Sequence, residues 1–349
     1  MKKAIALVLV LVMALSLVAC GSKPAEKKEA VAGVCWYNFG DTFIANARST
    51  LNNAAANGPV KVVDADSLND VATQTSNMNN FYTQNVKYLV VNNINNNAIG
   101  EMIEQAKEKD VTLIFANSNS PTDEEFKTYD KVYHVSSVAT QSGTIMGEAL
   151  VKYWNEHPEA DRNGNGKLDY IMLLGIQGHY DTEVRASYSV QALTDAGIET
   201  NCIMETICNY QRADAQNQVA SILQANMDDV EAVIACNDDM ALGAIEALKA
   251  AGFFKGDDSY IPVVGVDATA NGVEALKEGT MLCTALNNPV ILGNSIYKLL
   301  TLLEEGKELT QENVGIDGTT VDTGYEIITR DTAQEYYDNL QKDLAKAGF

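Results

Sequence analysis

Polar side chains collect at the ends of apolar runs, and their types suit a ligand covered with hydroxyls. Asn38-Phe39-Gly40-Asp41-Thr42-Phe43 follows the first run, Asn92 ends the third, and Gly178-His179-Tyr180-Asp181-x-x-x-Arg185 follows Tyr170–Leu174. Cys236-Asn237-Asp238 follows Ala232–Ala235, Asp267 ends Ile261–Val266, and Asn287 ends Met281–Leu286. Phe43 and Tyr210 add aromatic faces in neighbouring loops. Carboxylates and amides bond adjacent hydroxyls in pairs, Arg supplies a planar fork, and aromatic rings cover the C–H patches of a pyranose. A sugar needs this mixture. Singly, each residue has a plainer reading: Asp41 or Asp238 as a helix cap, His179 in a turn, Arg185 in a surface ion pair. Their recurrence at six run ends outweighs those separate readings.

A second cluster suits a cation. Asp161-Arg-Asn163-Gly-Asn165-Gly166-Lys167-Leu168-Asp169 places oxygen ligands at positions 1, 3, 5 and 9, glycine at 6 and an apolar residue at 8. Position 7 gives only its carbonyl, so Lys167 is tolerated. This is the pattern of an EF-hand calcium loop. Position 12 is Met172 rather than a bidentate Glu, no paired helices flank the loop, and no duplicate exists. A true EF-hand or a dockerin is therefore not expected.

Positioning these groups falls to alternating strands and helices. Strands are expected at Val31–Tyr37, Val60–Val63, Tyr88–Asn92, Val111–Phe115, Val132–Val135, Tyr170–Leu174, Ala232–Ala235, Ile261–Val266 and Met281–Leu286. Helical spacing fills Thr140–Trp154, Glu183–Ala196, Gln211–Gln224, Asp239–Ala251 and Pro289–Leu303. Alternation of this kind predicts an α/β fold with parallel sheets covered on both faces, and ligands bind such sheets beyond the carboxyl ends of their strands. The length of 349 residues predicts two domains.

Composition narrows the function. With 47 Asp+Glu against 25 Lys+Arg, the net charge of −22 argues against a nucleic-acid partner. Lys2 and Lys3 precede an apolar run over Ala4–Ala19 that is too short to span a bilayer, which is the signal-peptide pattern. Leu17-Val18-Ala19-Cys20 resembles a bacterial lipobox, so 1–19 is expected to be removed and Cys20 lipidated. Residues 20–30, rich in Lys and Glu, read as a tether. No Cys-x-x-Cys occurs, and spacing leaves open whether Cys202 and Cys208 pair. Serine-elbow, Walker A, His-Glu-x-x-His and dinucleotide-binding motifs are missing, so an enzyme is not expected; a glycoside-processing enzyme using Asp41 and Asp181 is the rival class.

Gly-His-x-Asp-x-x-x-Arg at 178–185, Val-Ile-Ala-x-Asn-Asp-x-Met-Ala at 233–241 and Ile-Pro-Val-x-Gly-Val-Asp-Ala at 261–268 carry a family resemblance. The chain resembles the bacterial D-galactose/D-glucose-binding proteins, solute receptors of ABC sugar transporters with the type I periplasmic-binding fold. The resemblance implies two doubly wound lobes joined by three hinge strands: 31–138 with 286–320, and 139–285 with 321–349. It implies sugar contacts at Asp41, Asn92, His179, Asp181, Arg185, Asn237, Asp267 and Asn287, with Phe43 and Tyr210 stacking. Tyr210 stands where the family usually has Trp, which leaves galactose against glucose open, as well as another monosaccharide. It implies structural Ca²⁺ held by Asp161, Asn163, Asn165, Lys167, Asp169 and, from a distant strand, Glu231. The implied partners are an ABC permease and a chemoreceptor, for a monomer held outside the cytoplasmic membrane. A LacI-type repressor shares the fold but has no secretion signal, and a DNA-binding helix-turn-helix is not seen here.

Overall fold

The computed structural model describes residues 29–118, 120–256 and 259–346. The expected leader, the lipidated Cys20 and nearly all of the tether lie outside the described residues. Strands β1 (Ala30–Trp36), β2 (Val60–Asp66), β3 (Tyr88–Val91), β4 (Thr112–Ala116) and β5 (Val132–Ser136) alternate with helices Thr42–Ala55, Val71–Thr83, Ile99–Glu108 and Asp123–Phe126. The long helix Ala139–Glu156 leads to β6 (Leu168–Leu174), β7 (Thr200–Ile207), β8 (Ala232–Ala235), β9 (Val263–Val266) and β10 (Cys283–Asn287). Between these lie helices Tyr180–Asp195, Arg212–Asn226, Asp238–Ala251 and Ala270–Glu278. Helix Pro289–Glu304, β11 (Ile316–Asp317), β12 (Thr320–Asp322), β13 (Tyr325–Thr329) and helix Ala333–Lys346 follow.

Two sheets result. One has the order β11-β12-β5-β4-β3-β1-β2 and the other β13-β10-β9-β8-β6-β7. Pairing is parallel except for β11 with β12 and β13 with β10. Tyr88–Val91, Ala232–Ala235 and Val263–Val266 are buried at every position, as strands covered on both faces must be. Strand order reverses between β1 and β3 and again between β6 and β8, which makes the carboxyl ends there the natural ligand crevice.

The chain passes between the sheets after β5, after β10 and after β12. Sheet membership differs slightly from the expected boundaries: β10 stays with the second sheet to Asn287, and β12 stays with the first to Asp322. Ser137 Oγ lies 2.6 Å from Thr323 Oγ1 and donates to the Gly324 carbonyl at 2.8 Å, tying two crossings together. Helix Tyr180–Asp195 begins earlier than the expected Glu183, so Asp181 and Arg185 stand one turn apart on one helical face. Strands β7, β11, β12 and β13 were not foreseen, because none is a buried apolar run; β7, at a sheet edge, has no fully buried residue. The five described cysteines are free, so Cys202 and Cys208 do not pair. No described helix is long and apolar enough to cross a membrane.

A candidate sugar cavity between the lobes

Asp41 sits in the loop after β1 and caps helix Thr42–Ala55, its Oδ1 accepting from the Ile44 amide at 2.8 Å. Its Oδ2 accepts from the Tyr37 hydroxyl. Cap and cavity roles coexist here, because the carboxylate has enough lone pairs for both. Phe43, the second residue of that helix, is buried, and Asn117 stands beyond β4 with φ +69°.

The second lobe contributes more. Arg185 donates from Nη1 to the Cys236 carbonyl at 2.8 Å and from Nη2 to Asp181 Oδ2 at 3.3 Å and the Tyr325 hydroxyl at 3.1 Å. Asn237 caps helix Asp238–Ala251 by accepting from the Met240 amide at 2.9 Å. The Tyr210 hydroxyl lies 2.7 Å from Thr182 Oγ1 and 3.3 Å from His179 Nδ1, and its ring meets His179 edge-on. Asn287 donates to Asn117 Oδ1 at 3.1 Å, a bond between the lobes. Asp267 is held at φ +112° and Tyr210 at +60°, a region L-residues rarely adopt and one that recurs where function dictates side-chain direction.

These groups line a narrow cleft between the lobes whose non-atom space, open solvent included, is ≈ 320 Å³. Burial pushes the Asp267 carboxyl well above its ordinary range, with Arg185 opposing. Asp41 is raised for the same reason, while its bond to Tyr37 opposes. His179 is held below the usual imidazole value, chiefly by burial. Asp181 Oδ1 and Arg185 Nε are buried without a hydrogen-bond partner among the described residues. Leaving such groups unpaired costs about 1–3 kcal/mol each, so a ligand offering a donor and an acceptor gains by meeting them.

Residues 32–308 match the family described as periplasmic binding protein domain. The chain belongs to the type I periplasmic binding proteins. Among relatives, the D-galactose/methyl-galactoside binding periplasmic protein MglB of Haemophilus influenzae is 31% identical over 281 residues, covering 80% of this chain and 83% of that protein. The ribose import binding protein RbsB of Salmonella typhimurium is 28% identical, covering 81% and 87%. A solute-binding protein of Bacillus halodurans, solved with bound myo-inositol, shares the fold at a TM-score of 0.76 and 24% identity, covering 90% and 99%. The family is one of extracytoplasmic sugar-binding components of ABC transporters.

Nine of the ten expected contact residues of this binding protein line the cavity: Asp41, Phe43, His179, Asp181, Arg185, Tyr210, Asn237, Asp267 and Asn287. Asn92 does not. It is fully buried beneath the site, with Oδ1 accepting from the Tyr37 amide and Nδ2 donating to the Ala116 carbonyl and Ser118 Oγ. Asn117 lines the cavity instead. Both asparagines directly follow an apolar strand, Asn92 after Val91 and Asn117 after Ala116, so no sequence signal separates them. Tyr37 and Ile44 also line the cavity and were not foreseen.

The oxygen-rich loop folds on itself away from the cavity residues. Asp161 Oδ2 accepts from the Gly166 amide at 3.0 Å, Asn163 Oδ1 from Asn165 at 3.0 Å, and Asn165 Oδ1 from Lys167 at 2.8 Å. Gly166 takes φ +75°, which the turn demands. Glu231, remote in sequence, closes the loop: Oε1 accepts from the Arg162 amide at 2.7 Å and Oε2 from Asp169 at 2.9 Å. Asp169 Oδ2 receives both Asn163 and Asn165 amides, at 2.9 and 2.6 Å. Asp161 Oδ1 is buried without a partner among the described residues. No group of three or more His, Cys, Asp or Glu among the described residues is arranged to hold a metal by itself. The donor set suits a hard cation only when the amide oxygens of Asn163 and Asn165 and the Lys167 carbonyl join the carboxylates.

Proposed function

We propose that the chain is an extracytoplasmic receptor for a hexose, D-galactose or D-glucose, which it delivers to an ABC permease. The observation that carries this reading is the pair of unpartnered buried groups on cavity residues, Asp181 Oδ1 and Arg185 Nε, amid amides and carboxylates from both lobes. Vicinal hydroxyls, each donor and acceptor, complement them. The identity to the galactoside-binding relative favours a hexose over a pentose. Sugar settles on one lobe, and closure adds the contacts of the other, so ligand shifts the population toward the closed form. The test is isothermal titration of ligand-stripped protein with D-galactose, D-glucose, D-ribose, xylitol and myo-inositol. One-to-one binding strongest for a hexose is expected; binding of ribose or inositol but neither hexose would replace this reading with that of a receptor for another monosaccharide. Tyr210 supports that second reading, since its smaller ring and bonded hydroxyl stand where the family usually has Trp. The reading assigns no catalysis.

Two further parts belong to the proposal. Calcium is bound by Asp161, Asn163, Asn165, the Lys167 carbonyl, Asp169 and Glu231 in a structural role, supported by the turn geometry and the unpartnered Asp161 Oδ1. Cys20 carries the lipid that tethers the receptor outside the membrane, supported by the Leu-Val-Ala-Cys run alone.

A further inference from the structure

The lobes also touch where no cavity residue is involved. Thr42 Oγ1 donates to Asp239 Oδ2 at 2.8 Å, joining residues 197 positions apart. Thr42 opens helix Thr42–Ala55 and Asp239 lies in the first turn of helix Asp238–Ala251. Each stands beside a cavity residue that caps its own helix, Asp41 in one case and, two positions away, Asn237 in the other. Neither Thr42 nor Asp239 lines the cavity itself. Two helix amino ends thus approach each other across the cleft, and both carry partial positive charge that opposes the approach. A carboxylate set between them offsets that opposition, and its bond to Thr42 adds a directional contact. Because the two residues belong to different lobes, the bond is made only when the cleft is shut.

We propose that Thr42 and Asp239 form a rim clasp that sets how long bound sugar is retained while touching none of it. The proposal rests on the sugar-receptor reading. A bond made only in the closed form opposes opening and leaves entry into the open form unaffected, so its removal belongs in the dissociation rate. Thr42→Val keeps the branched shape and removes the donor. Stopped-flow measurement with the sugar that the wild type binds is expected to show release about 5–30-fold faster in Thr42→Val, with association within about twofold of wild type. The thermal midpoint of the ligand-free protein is expected to stay unchanged, which separates a clasp from a generally structural contact. Asp239→Ala is expected to behave alike, and the double variant to release sugar no faster than either single one. Unchanged release in Thr42→Val overturns the clasp. Should the wild type bind no sugar of the panel, the receptor reading fails separately, and the clasp is then decided without ligand. In a Cys202→Ser background, Thr42→Cys with Asp239→Cys is expected to be joined by a short bifunctional thiol-reactive linker, which spans more than a disulfide can, and to reduce the radius of gyration. Failure of that pair to cross-link overturns the clasp independently of any sugar.

Discussion

Asp238 neighbours the cavity residue Asn237 yet spends its carboxylate on the scaffold. Oδ1 accepts from Thr284 Oγ1 at 2.7 Å, and Oδ2 from the Thr269 amide at 2.7 Å and its hydroxyl at 3.1 Å. These bonds pin the loops after β8 and β9 to β10, and thereby the neighbours Asn237 and Asp267. A Cβ at position 272 would stand 2.2 Å from Asp238 Oδ2, so only glycine fits there. Burial pushes the Asp238 carboxyl from its ordinary 3.8 up to about 7. Between those values the folded protein keeps a proton that the unfolded chain has lost, so stability is greatest below the lower value and falls as pH rises through the higher. Urea unfolding at pH 5 and pH 7 is expected to show the wild type more stable at pH 5. Asp238→Asn should flatten that slope by on the order of 1–3 kcal/mol, with Asp41 and Asp267, raised in the same direction, leaving a remainder. Equal slopes in the two proteins would refute the assignment. At this scale the sequence showed which residue types end which strands. It did not show which of two asparagines, Asn92 or Asn117, faces the ligand, since both follow apolar strands and only packing separates them.

Strands with a continuous buried run were legible and short or exposed strands were not. Helices Thr42–Ala55, Val71–Thr83, Ile99–Glu108 and Ala270–Glu278 were not foreseen, although each buries a face. Continuous apolar runs announced β3, β4, β8 and β9, and the Asp-x-Asn-x-Asn-Gly spacing announced the loop before β6. Strand β7 reads Thr-Asn-Cys-Ile-Met-Glu-Thr-Ile, half-exposed throughout at a sheet edge, so hydrophobic patterning had nothing to register. The loop itself supports a prediction. Calcium is expected to raise the thermal midpoint of chelator-stripped protein, through a linkage contribution of about 2.7 kcal/mol at a hundredfold excess over the dissociation constant. Glu231 joins the loop to the start of β8 through three backbone amides, so Glu231→Gln is expected to lose the calcium response. Magnesium should substitute poorly, because it demands six ligands in tight octahedral geometry. Melts that ignore calcium in both proteins would leave the loop a turn and nothing more.

For the whole molecule, length predicted two domains and the alternation of elements predicted parallel sheets, whereas the three crossings came only through family resemblance. Nothing in the local pattern of Asn287-Asn288 or Asp322-Thr323-Gly324 says that the chain changes lobes there; long-range pairing decides it. The proposed lipid tether is a separate matter that rests on the first residues. Cys20→Ala is expected to shift the protein from the membrane fraction to the soluble extracytoplasmic fraction, since one acyl chain alone anchors marginally and two are needed; retention of the variant would count against the lipid tether. The crossings also impose an order on biosynthesis. Strands β1 to β5 are complete once Ser136 has been made, yet the outer edge of β5 pairs only with β12, at His134↔Thr320, Val135↔Val321 and Ser136↔Asp322. Throughout synthesis of the entire second sheet except β13, that edge offers bare amides and carbonyls, the template on which neighbouring chains pair. The lobe that is begun first is therefore finished only after nearly all of the other has emerged, and a nascent chain has an unguarded edge for most of its growth.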